Sequence, residues 1–71
     1  MKYVITDHNK IAMGTGTYHQ SIANSLTGEV KSAGEFRIKN GRVEVFGESA
    51  GFGIKSKSED ALEIESYLGI N

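Results

Sequence analysis

The sequence predicts a small α/β domain of the α+β kind, ordered β-β-α-β-β-α, with a mixed, mostly antiparallel sheet and two helices. Three observations lead there. Asn40-Gly41 separates two alternating segments, Glu35–Lys39 and Arg42–Phe46, and is the strongest short hairpin signal. Tyr18, Ile22 and Leu26 recur at helical spacing behind a Thr17/Gln20 capping-box pair. A second stripe of Ala61, Ile64, Glu65 and Leu68, flanked by Leu62 and Tyr67, runs up to Gly69.

Each element has a local cause. Lys2–Thr6 is rich in β-branched and aromatic residues and reads as a strand. Asp7-His8-Asn9 is turn chemistry, which makes Lys10–Met13 the hairpin partner of the first strand. Gly14-Thr15-Gly16 is a flexible connector, Thr17 opens the first helix, and Gly28 suits its left-handed stop. Val30–Ala33 extends the next strand backwards. The two-residue turn at Asn40-Gly41 pairs Lys39 with Arg42, Ile38 with Val43, Arg37 with Glu44 and Phe36 with Val45. That register places the apolar pairs on one face and the Arg37–Glu44 pair on the other. Gly47–Gly53 is a glycine-punctuated loop. Ser56 or Ser58 caps the last helix, and Ile70 folds back beyond Gly69 as its hydrophobic contact.

Composition narrows the function classes. With 71 residues the chain is one domain, residues 1–71. A core of this size supplies about 3–5 kcal/mol of net stability, unless a second copy shares it in a homodimer. There is no cysteine, so neither a disulfide nor a thiolate metal site is available, which fits a cytoplasmic location. A net charge of -1 gives no reason to expect nucleic acid. No apolar run approaches the roughly 20 residues of a membrane helix, and the N-terminal residues have no apolar signal segment. His8 and His19 are far apart, and no His or carboxylate cluster has ligand spacing, so neither a metal nor a cofactor is expected. The phosphate-binding Gly-x-x-x-x-Gly-Lys-Ser/Thr loop and a nucleophile-elbow serine are absent.

His19 is the first candidate for chemistry. On the first helix it falls near the middle of the Ile22/Ala23/Leu26 stripe, facing inward at the helix mouth. The helix dipole and partial burial both disfavour imidazolium there. A neutral ring results, able to accept a proton or attack phosphorus. The simpler reading is a core histidine with one backbone hydrogen bond. The second candidate is the Gly47–Gly53 loop, whose backbone N–H groups could form an anion nest beside the Ser49 hydroxyl. Its simpler reading is an ordinary strand-to-helix connection. Lys2 and Arg37 could add positive charge, although Lys2 also reads as solvated and Arg37 as the surface partner of Glu44. His8, and the set Lys55, Lys57, Glu59 and Asp60, read as a solvated turn and a solvated helix entry.

Lys2-Tyr3-Val4, Tyr18-His19, Gly34-Glu35-Phe36-Arg37-Ile38 and Val45-Phe46-Gly47-Glu48-Ser49-Ala50-Gly51-Phe52-Gly53, in this order, resemble the Janus/Ocnus family, which includes the animal protein histidine phosphatases. The resemblance spans nearly the whole chain. It implies a histidine phosphatase-like fold and a hydrolase that removes phosphate from phosphohistidine without metal. It implies His19 as the catalytic residue, Ser49, Ala50 and Gly51 as phosphate holders, and Lys2 as a substrate contact. The chain departs from the animal members in being shorter, in Gln20-Ser21 after the histidine, and in Glu48 where they carry tyrosine. Three readings follow: a phosphohistidine phosphatase acting on a phosphorylated protein or small phosphoanion, a non-catalytic phosphate- or phosphopeptide-binding module, and a homodimeric interaction protein.

Overall fold

A computed structural model describes residues 1–15, 19–23 and 28–70. Its elements are β1 (Lys2–Thr6), β2 (Ile11–Gly14), α1 (His19–Ala23), β3 (Val30–Lys39), β4 (Arg42–Phe46), β5 (Glu48–Ser49), β6 (Ile54–Lys55) and α2 (Asp60–Leu68). The four long strands form one sheet in the order β2-β1-β3-β4, and β5 and β6 form a separate ribbon. The protein is a small α+β domain built on an antiparallel sheet with α2 packed on it.

The sheet is antiparallel at every junction, not mixed. β2 and β3 do run the same way, but β1 lies between them, so no parallel ladder forms. The expected first helix is seen only over its five residues His19–Ala23. Thr17, Tyr18 and Leu26, on which its cap and stripe were read, lie outside the described residues.

The Asn40-Gly41 hairpin has the register its sequence dictates, from Lys39↔Arg42 to Phe36↔Val45. Both turn residues have left-handed backbone, with φ of 55° and 77°, as a tight two-residue hairpin turn needs. Alternation along β1 then sends residues to two cores. Tyr3 and Ile5 join Phe36, Val43 and Ile64 on the α2 side. Val4 joins Ala33 and Ile22 on the α1 side. A bulge between Ile5 and Thr6 adds one residue to β3. It lets both Lys31 and Ser32 reach α2, Lys31 towards Glu63 at 3.7 Å and Ser32 to Asp60 at 3.0 Å.

α2 starts differently from the expected serine cap. Its N-cap is Glu59, in helical backbone and without a side-chain capping bond. Asp60 instead accepts the Lys57 N–H at 2.9 Å and turns the chain from inside, while the Ser56 hydroxyl goes to the Gly47 carbonyl. At the far end Gly69 is left-handed as expected, and the Gly69 and Ile70 amides both bond the Glu65 carbonyl, but the Ile70 side chain stays exposed and joins neither core cluster. No helix among the described residues is long and apolar enough to cross a membrane.

Candidate functional site

His19 opens the described part of α1, which packs on β1, β2 and β3 through Ile22. Its ring is buried, as the helical wheel predicts, and Nε2 lies 2.8 Å from the Gly34 carbonyl oxygen. A carbonyl can only accept, so Nε2 carries the hydrogen. In the neutral ring the basic lone pair is therefore on Nδ1.

Gly34 is also where the glycine-rich segment meets the sheet. It pairs with Tyr3, so a side chain there would project to the α2 side. A Cβ would stand 2.7 Å from the Phe46 carbonyl oxygen, 2.8 Å from Ser56 Cβ and 3.3 Å from the Gly47 carbonyl oxygen. Only glycine lets those two strands of backbone approach. The imidazole thus bonds the Gly34 carbonyl from the α1 side of the sheet, while Gly47 and Ser56, at the base of the glycine-rich segment, crowd the same residue on the α2 side.

That segment is a small ribbon, not the open loop expected. β5 and β6 pair Glu48 with Lys55 and Ser49 with Ile54. The Gly53 amide closes the turn onto the Ser49 carbonyl at 2.8 Å, and Ser56 N–H and Oγ both bond the Gly47 carbonyl at the base. Gly47 and Gly53 have left-handed backbone, which the ribbon's ends require. Ser49 is buried at 2% exposure, whereas Ala50 and Gly51 stand exposed at the tip. Lys2 is half-buried and shares the α1-side face of β1 with Val4, flanked across the strands by Gly14 and Glu35. Lys2 and α1 therefore share one sheet face. Among the described residues the imidazole's hydrogen bond goes to Gly34, and none goes to Ser49, Ala50 or Gly51.

Beside the ribbon's base, Arg37 donates to Glu44 at 2.8 Å and lies over the Phe46 ring at 5.2 Å. That hydrogen bond holds the Glu44 carboxyl below its usual range. Both residues line a groove of about 460 Å³ with Val45, Phe46, Ser56 and Ser58. His8 is an exposed turn residue 3.7 Å from the Asp7 carboxylate. Among the described residues no cluster of His, Asp and Glu could hold a metal ion.

The sequence reading of Asp60 as a solvated helix entry is corrected. Asp60 is buried, and its carboxylate accepts from the Tyr3 hydroxyl at 2.6 Å as well as from Ser32 and Lys57. Glu65, placed in an apolar stripe by spacing, is buried beside Arg42. An acidic residue inside an apolar stripe was the available signal for such a buried carboxylate. The chain matches no protein-family model, and no curated protein or solved structure matches it significantly.

Proposed function

We propose that the protein is a metal-independent phosphohistidine phosphatase of the Janus/Ocnus kind, acting on a phosphorylated protein or a small phosphoanion. The observation that carries this reading is the buried Nε2–H bond from His19 to the Gly34 carbonyl. It orients the ring and leaves Nδ1 as the nitrogen with a lone pair, which a nucleophile or general base requires. As a nucleophile, Nδ1 takes the phosphoryl group as the P–N bond of the substrate breaks, the leaving substrate imidazole takes its proton from solvent water, and a second water then cleaves the new P–N bond, giving inorganic phosphate and free His19. As a base, the same nitrogen takes a proton from the attacking water. Ser49, the exposed Ala50 and Gly51 backbone and the Lys2 ammonium are the groups proposed to meet the phosphoryl oxygens, where donors offset charge in the transition state.

The test is phosphate release from a phosphohistidine-bearing protein, with and without chelator. Wild type is expected to release phosphate equally in both conditions, and His19→Ala to lose roughly 10²–10⁴ of the rate. No release by wild type, with phosphate-dependent shifts of the Ser49–Gly51 amides, makes the domain a binder and not an enzyme. The absence of both release and amide shifts removes the phosphate reading altogether.

A further inference from the structure

We propose that Glu65 closes the outer edge of β4 and so keeps a second copy of this chain from pairing there. β4 is a terminal strand of the sheet. Lys39 and Arg42 close the two-residue turn as the hydrogen-bonded pair, so Ile38↔Val43 and Phe36↔Val45 are non-hydrogen-bonded pairs. Phe36 confirms the parity, since its amide and carbonyl exchange bonds with Met1 on the β1 side, at 2.8 and 2.9 Å. The Val43 and Val45 amides therefore point out of the sheet. The strand Arg-Val-Glu-Val-Phe has no proline, and such an edge is a template for another strand.

Glu65 occupies the first of these positions. Its Oε2 accepts the Val43 N–H at 2.9 Å and the Arg42 Nε–H at 2.8 Å, and the side chain is only 1% exposed. Among the described residues no group accepts the Val45 amide. One carboxylate thus holds one of the two outward amides that an antiparallel partner would need. The partner that fits is a second β4. A two-fold axis through Glu44 sets Val43 opposite Val45 of the other copy in both directions. It also leaves each Glu44 on its own Arg37.

Glu65→Met removes the acceptor at similar length, and Glu65→Gln keeps a carbonyl that can hold the Val43 amide. Light scattering over a concentration series is expected to show a rising mass for Glu65→Met alone. Wild type and Glu65→Gln keep one common mass. Adding Val45→Pro to Glu65→Met deletes the other outward N–H and restores the wild-type mass, because proline is tolerated at an outward edge position. A folded Glu65→Met with the wild-type mass at every concentration overturns the proposal. Where Glu65→Met does not fold, hydrogen exchange in wild type decides. The Val43 amide is expected to exchange roughly tenfold more slowly than that of Val45, and equal rates overturn the proposal.

Discussion

Asp60→Ala is expected to leave most of the chain unfolded at room temperature. The carboxylate is buried and accepts from the Tyr3 hydroxyl at 2.6 Å, the Ser32 hydroxyl at 3.0 Å and the Lys57 amide at 2.9 Å. Removing it orphans donors from β1, β3 and the turn before α2 together. Each buried orphan costs about 1–3 kcal/mol, and the combined loss is comparable to the about 3–5 kcal/mol that a core of this size supplies. Tyr3→Phe is milder, at about 1–3 kcal/mol, because the carboxylate keeps its other donors. Urea unfolding of both variants checks the order. The same pair gives a pH dependence. Burial first, and then the hydrogen bond to Asp60, raise the Tyr3 phenol above its ordinary value. A raised folded pKa means that the contribution is complete below the unfolded value near 10 and is lost as pH rises past it. The wild-type urea midpoint is therefore expected to fall on the alkaline side of about pH 10, and Tyr3→Phe to lack that part of the fall.

Gly34→Ala is expected to damage both stability and turnover. The added methyl would lie 2.7 Å from the Phe46 carbonyl oxygen and 2.8 Å from Ser56 Cβ. One neighbour is backbone and the other is a β-carbon fixed to backbone, so neither can swing aside. Either β3 or the base of the ribbon must shift, at about 1–3 kcal/mol for an overpacked site. On the proposed phosphatase reading the shift also reaches chemistry, because the Gly34 carbonyl holds His19. Phosphohistidine turnover is expected to fall more than the folded fraction does, and the His19 ring signals to move. A variant with wild-type turnover per folded molecule would separate Gly34 from the site.

Local signals were the legible ones. The Asn40-Gly41 hairpin could be read residue by residue because two adjacent residues set its register. The Gly69 stop of α2 was equally local. The inward direction of His19 followed from helical geometry, but its partner did not, since a backbone carbonyl has no sequence signature. The buried acids were misread or only half read for a related reason. Asp60 lies 57 positions from Tyr3 and 28 from Ser32, so only the folded sheet brings them together. Strands as short as β5 and β6 carry too few residues to show alternation, which left the ribbon looking like a loop.

The most direct measurement is a long-range ¹H–¹⁵N spectrum of the His19 ring, recorded with and without inorganic phosphate. In the neutral form of the ring the hydrogen is expected on Nε2, and the unprotonated Nδ1 resonance is expected to move as phosphate is added. A ring protonated at Nδ1 instead, or one that ignores phosphate throughout the titration, would contradict it.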